Sequence, residues 1–344
     1  MKKIPKTSKR LFLSQLLWNK RINQKYMPHA GYMGNGGDLH LILGVNGSGI
    51  THLTQLLSQS LPKSNFIHSP LEKFEPKFTL SSQGDRLAIP YQKELTADHP
   101  LNRVYRIYAE RNLPETKYDL LQMENEPTTR GLLILKETHG LLASEALLRE
   151  LQCHALFYIS DPVILAEQIF SRQGLKTSYL DLESEAVMES RFLKRFLYND
   201  LRKILHTYKL IQRLTSSRQR YVQMKILTIA LIQHMFRMLT ARYPELATIV
   251  DFASIENEPK HLQFPIVNWL GSDSLDRTER IINAATFKPD GLNSKRWTRS
   301  WPETINTFDA LSAKDVNLAY QILIDLELIR DEGKLKNWES NVAV

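Results

Sequence analysis

The chain has 344 residues, enough for one elaborated domain or two small ones, and its 42% hydrophobic and 24% charged content is that of an ordinary globular protein. A single cysteine, Cys153, excludes an internal disulfide and a multi-cysteine metal centre, and no metal is expected. The net charge of +8 is unevenly placed: residues 1–37 hold eight Lys/Arg and no acid, which leaves 37 basic against 37 acidic residues in the rest.

Residues 1–37 therefore read as a basic N-terminal arm. Such an arm meets an anionic membrane or another polyanion, or is simply solvated; nucleic acid is not the expected partner. Within it, LFLSQLLW reads as a short amphipathic helix. Ser14 and Gln15 interrupt its apolar run, and it enters Asn19-Lys20-Arg21 without a small-residue cleavage site, so no secretory signal is expected. No segment approaches the roughly 20 apolar residues of a membrane span. The expectation is a cytoplasmic protein, peripheral to a membrane at most.

The turn-rich GYMGNGG of residues 31–37 closes the arm, and the organised domain is expected over 38–344. Residues 39–43 (LHLIL) have the uninterrupted apolar character of a buried parallel strand. They run into Gly44-Val45-Asn46-Gly47-Ser48-Gly49-Ile50-Thr51, and a helix with Leu53, Leu56 and Leu57 on one face follows. Residues 62–98 are weakly patterned and read as a long loop with short elements. A second buried strand is expected at Leu132–Leu135, ending in Lys136-Glu137-Thr138-His139-Gly140. A helix over Leu142–Leu151 leads to a third strand, Ala155–Ile159, which stops at Ser160-Asp161-Pro162 where another helix starts. Strands alternating with helices through tight loops predict an α/β fold with a parallel sheet, whose ligands bind beyond the carboxyl ends of the strands.

From Glu185 to Arg242 the pattern is helical, read as an insertion. Its first half is basic, a face that is solvated or receives a polyanionic acceptor. Its second half holds the apolar ILTIALIQHMF, read as a core helix because Gln233, His234 and Arg237 interrupt its end. A strand at Thr248–Phe252, a helix-like stretch to Leu270 and a loop-rich tail with Asn293-Ser294-Lys295-Arg296-Trp297 complete the chain.

The segment 44–51 has the frame of a phosphate-binding loop, G-x-x-x-x-G-K-[ST]. Its glycines let backbone N–H groups close around an anion at a helix N-terminus, and Ser48 and Thr51 add hydroxyls. The lysine position of that frame holds Ile50, which speaks against an ordinary ATPase or GTPase.

GVNGSGITHLTQLL resembles the 5′-phosphosulfate loop of sulfotransferases, G-x-P-[KR]-S-G-T-T-x-L. Gly44, Ser48, Gly49, Thr51 and Leu53 match. Asn46 stands for Pro, Gly47 for the cation, and Ile50 for the first Thr. FYISDPVILAEQIFSRQ is similar to the family's strand–R-D-P–helix element, with Ser160 for the arginine and Gln168 for the serine that hold the 3′-phosphate. Three further elements keep the family's order: LLILKETHG, VDFASIENEP…VNWLG, and LNSKRWTRSW.

The resemblance implies a sulfotransferase-like, three-layer P-loop fold: a central parallel sheet flanked by helices, with the helical insertion at 185–242. It implies sulfuryl transfer from 3′-phosphoadenosine-5′-phosphosulfate, as co-substrate, to a hydroxyl-bearing acceptor such as a glycan or glycolipid. The implied nucleotide contacts are Gly44, Asn46, Gly47, Ser48, Gly49, Ile50, Thr51, Ser160, Gln168, Lys295, Arg296 and Trp297. The implied reacting groups are Lys136, as a substitute cation reaching the loop, and His139 or Glu137 as the base. His52 is read as packing under the loop. Gly47 and Ser160 in place of the family's cations leave two other readings open: an inactive protein of this fold serving as a binding or scaffold module, and a divergent P-loop kinase.

Overall fold

The computed structural model describes residues 39–45, 47–51, 53–54, 57, 61, 64–68, 91–94, 105, 132–138, 140–173, 187–252, 259–270 and 310–329. The basic arm, Asn46, His52, His139 and the Lys295-Arg296-Trp297 loop lie outside these residues.

The fold is α/β, with five parallel strands among the described residues: β1 (Leu39–Gly44), β2 (Ser64–His68), β3 (Leu132–Glu137), β4 (His154–Ile159) and β5 (Ala247–Asp251), in the order β2-β3-β1-β4-β5. β1 is central and every residue of it is buried, the environment that favours a continuous apolar run over an alternating one. Four of the strands lie where the sequence pattern puts them. β2 is a short element inside the stretch 62–98 read as a long loop with short elements, and its five-residue SNFIH leaves little periodicity to place it by.

Two apolar layers cover the sheet. On one face, Leu39, Leu41 and Leu43 of β1 join Leu135, Ala155 and Phe157 in a large core. It is closed by helices α1 (Ser144–Leu151), α2 (Pro162–Gln173), α3 (Ser190–Phe196), α4 (Leu201–Gln212), α5 (Ser217–Arg242) and, near the C-terminus, α7 (Ala313–Asp325). On the other face, Ile42, Ile134, Leu156, Tyr158 and Val250 pack against Ile50, Leu53 and Leu57 and against Ile266 and Trp269 of α6 (Gln263–Leu270).

Among the described residues of the segment 185–242, read as continuously helical, α3, α4 and α5 are separated by breaks at 197–200 and 213–216. α5 is the apolar one: most residues from Val222 to Leu239 are buried, Arg237 being exposed, and Phe236 stacks on Phe157 of β4 with ring centroids 4.4 Å apart. Burying one such side chain contributes about 2–3 kcal/mol. No helix among the described residues is long and apolar enough to cross a membrane.

The tail read as loop-rich contains α7. Ser312 and Asp315 form a reciprocal capping box at its start, and Val316, Ala319 and Leu323 enter the first core at helical spacing. Glu167 of α2 fixes the preceding turn by accepting from the N–H groups of Ala310 (2.8 Å) and Leu311 (2.7 Å).

Candidate functional site at the end of the central strand

The helix that follows β1 packs on one face of the sheet, and α2, which follows β4, packs on the other. The connections leaving these neighbouring strands therefore part at their carboxyl ends. Such a divergence leaves a crevice, the place where ligands settle in open parallel sheets.

The loop from β1 is tightly held. Ser48 N–H donates to Val45 O at 3.1 Å, and Gly47 and Gly49 have φ of +95° and +90°, a region that disfavours any residue with a Cβ. At Gly44 an added Cβ would lie 3.0 Å from Ile50 Cδ1 and 3.2 Å from Tyr158 Cβ. At Gly47 it would lie 2.9 Å from Ile169 Cγ1 on α2, so a long cationic side chain has no place there as the loop stands. The absence of a cation at 47 is thus built into the packing. Ile50, at the first helical residue, is a core side chain, buried in the second apolar layer.

The cation arrives from the adjacent strand. Lys136, 2% exposed near the end of β3, donates from Nζ to Thr51 Oγ1 at 2.9 Å, which brings an ammonium to the first turn of the loop's helix. An ammonium so deeply buried is costly unless it is met by partners, and Thr51 is one. β3 is in register with β1 through Ile42↔Lys136 and Leu43↔Glu137. Successive strand residues point to opposite faces, so Lys136 enters the loop side while Glu137 enters the large core.

Glu137 is fully buried there. Its Oε2 accepts from Tyr105 OH at 3.0 Å and its Oε1 from the Thr138 N–H at 2.7 Å. Lys136 and Glu137 thus do not converge on one point, although they are adjacent in sequence.

Two hydroxyls near these strand ends are left open among the described residues. Ser48 is 2% exposed, and its buried Oγ has no hydrogen-bond partner. Ser160, just past β4, likewise has a buried Oγ without a partner. Most buried polar atoms are paired, and an orphaned one calls for an explanation such as a ligand.

The residues after Ser160 are occupied otherwise. Asp161 Oδ1 accepts from the N–H of Val163 (2.9 Å) and Ile164 (3.3 Å), capping α2, while Oδ2 accepts from Tyr320 OH at 3.3 Å. Burial, then the Asp161 charge, pushes the Tyr320 phenol well above its usual range. Asp-Pro at this point is a helix start. Gln168 is buried on α2 beside Ile169, the residue against Gly47.

Sequence reasoning anticipated Lys136 at the loop but not Ile169, which forbids a side chain at 47; no local pattern announces a contact between distant segments. Cys153 is buried with its thiol pushed up to about 12 by burial, which makes it an inert core residue. No group of residues suited to holding a metal ion occurs among the described residues.

The protein is parallel α/β, and at the carboxyl ends of β1, β3 and β4 stand a glycine-shaped loop, a helix N-terminus, a buried ammonium on Thr51 and the Ser48 and Ser160 hydroxyls. Together they can receive an oxyanion. No family model and no curated protein matches the chain. Among solved structures it is similar to a crystal structure of a sulfotransferase from Alicyclobacillus acidocaldarius, at 13% identity and a TM-score of 0.36, over 87% of this chain and 98% of that one. At that level of likeness the site has to be read from its own residues.

Proposed function

We propose that this protein transfers a sulfuryl group from 3′-phosphoadenosine-5′-phosphosulfate to a hydroxyl acceptor, a glycan or glycolipid, using the β1 loop as its phosphosulfate cradle. The observation that carries the reading is the 2.9 Å contact between Lys136 Nζ and Thr51 Oγ1. It returns to the loop the positive charge that Gly47 cannot supply. The sequence resemblance of the loop and of the β4–α2 element supports the same reading, as do the open hydroxyls of Ser48 and Ser160.

In such a transfer the acceptor oxygen forms a bond to sulfur as the bond from sulfur to the donor's phosphate oxygen breaks. The protein's work is to hold the two in line and stabilise charge on the departing oxygen. Lys136, the loop N–H groups and the Ser48 hydroxyl are suited to that charge. The acceptor's proton goes to His139, since both oxygens of Glu137 already accept hydrogen bonds on the other face. Ser160 and Gln168 would lie toward the 3′-phosphate, with Lys295, Arg296 and Trp297 closing over the nucleotide.

Titration calorimetry with adenosine 3′,5′-bisphosphate tests the reading. Micromolar binding that weakens in Lys136→Met supports it, and turnover with the sulfate donor and candidate glycolipids would follow. Absence of binding favours a module of the same fold without catalysis, a reading to which the neutral Gly47 and Ser160 lend some weight. Binding of ATP with Mg²⁺ instead would indicate a divergent kinase.

A further inference from the structure

We propose that helix α4 is a docking face for an anionic lipid bilayer, distinct from the crevice and from the basic N-terminal arm. Ile204 and Ile211 turn one side of α4 into the protein. On the opposite side Arg202, His206, Lys209 and Arg213 are exposed at spacings of four, three and four residues. That spacing lines them up along the helix, over about 16 Å. Arg220 stands at the end of this row, its Nη1 donating to Gln212 O at 3.5 Å. Helix α4 contains no acidic residue; among the described residues, the acids at its margins are Asp200, at its N-cap, and Glu327, 3.3 Å from Lys203.

The apolar residues beside this row decide which polyanion it fits. Leu205 is 39% exposed on one flank and Leu210 48% exposed on the other, and Tyr198, just before the helix, is 74% exposed. A sulfated glycan or a nucleic acid backbone gains little from leucines that flank a cationic row. A bilayer gains from both parts: the cations meet anionic headgroups, and the leucines and the tyrosine ring reach the boundary of the acyl region. The inference rests on α4 alone and stands whether or not the crevice transfers sulfate.

The full chain is sedimented with vesicles of phosphatidylcholine, alone or containing phosphatidylserine. Binding is expected only with the anionic lipid, and it should fall as salt rises. The combined Arg202→Glu, Lys209→Glu and Arg213→Glu variant should lose at least about 100-fold in partitioning. The Leu205→Ser, Leu210→Ser pair should lose about five-fold with its charge unchanged. As a readout that does not depend on loss, Leu210→Trp should shift its emission to the blue when anionic vesicles are added. Three outcomes would overturn the proposal: no binding to anionic vesicles, full binding by the charge-reversed variant (which would assign attachment to the N-terminal arm), or full binding by the leucine pair with no blue shift, the behaviour of a simple polyanion contact.

Discussion

At Glu145 and at the end of β1, polar groups are buried to a similar depth but completed in opposite ways. Glu145, on α1, is met on both carboxylate oxygens: Arg195 grips it with Nε 3.1 Å from each oxygen and with Nη2, Arg242 Nη1 donates at 3.0 Å, and the hydroxyls of Tyr91 and Tyr243 donate at 2.5 and 3.2 Å. Arg242 also lies over the Phe196 ring. At the end of β1 the Ser48 and Ser160 hydroxyls have no partner although a buried ammonium stands at the same loop. The first cluster fastens α1 to α3 and α5. The second leaves two hydroxyls unpaired among the described residues. The difference teaches that burial and charge do not by themselves set saturation: the Glu145 carboxylate is fully met, whereas the loop hydroxyls, like the Gln233 amide on α5, are unpaired among the described residues.

The contrast is broken most severely by Glu145→Ala. Two guanidinium groups would then face each other without their carboxylate. The expected loss is about 3 kcal/mol in chemical denaturation, at the lower end for a buried pair because the arginines remain 31% and 30% exposed. The acid limb provides a companion measurement. Burial pushes the Glu145 carboxyl up, but hydrogen bonds from Arg195 and Tyr91 and the charges of both arginines outweigh it and hold it below its usual 4.5. A depressed carboxyl contributes stability that is full above that usual value and is lost as pH falls through the folded-state value. Glu145→Gln should therefore flatten the loss of stability below about pH 4.5; an unchanged acid limb would remove this cluster from its fastening role.

Lys136→Met is next. The crevice should lose about 10- to 100-fold in affinity for adenosine 3′,5′-bisphosphate, the size expected for one charge-assisted hydrogen bond. The denaturation midpoint should not fall, since an apolar side chain of similar length replaces a buried charge. A large stability loss with unchanged affinity would move Lys136 to the fastening class. Gly47→Ala should destabilise by about 1–2 kcal/mol through its positive φ and the Ile169 contact. Adding Ile169→Ala should remove the steric share of the Gly47→Ala cost in a double-mutant cycle, whereas strictly additive losses would refute that contact.

The smallest effect sharpens the comparison most. Ser48→Ala should change stability by no more than about 0.5 kcal/mol, because the hydroxyl has no partner to lose, yet weaken nucleotide affinity about five- to ten-fold. The reverse pattern would make Ser48 a structural residue.

Much of this molecule was legible in its residues. The apolar runs at 39–43, 132–135 and 155–159 are read correctly because a strand buried on both faces needs no more than local hydrophobicity. Glycines at 44, 47 and 49 mark a loop whose backbone does require them. The capping box of Ser312 and Asp315 was also there to be read, and the loop-rich expectation for the tail passed over it. β2 was not legible, since five residues without a pattern become a strand only when β3 offers them an edge.

The sequence by itself determined the alternation of strands and helices and the glycines of the β1 loop, because each depends on neighbours along the chain; that Gly47 stands at a cation position is what the resemblance to the sulfotransferase loop implies. Only the tertiary structure decided what stands beside that loop. Lys136 and Thr51 are 85 residues apart, and it is the parallel register of β3 beside β1 that brings the ammonium to the hydroxyl. The same register sends Glu137 to the opposite face, and the packing of α2 against the loop keeps position 47 free of a side chain. Contacts of this kind leave no local signature, because they are set by sheet order and helix packing rather than by spacing.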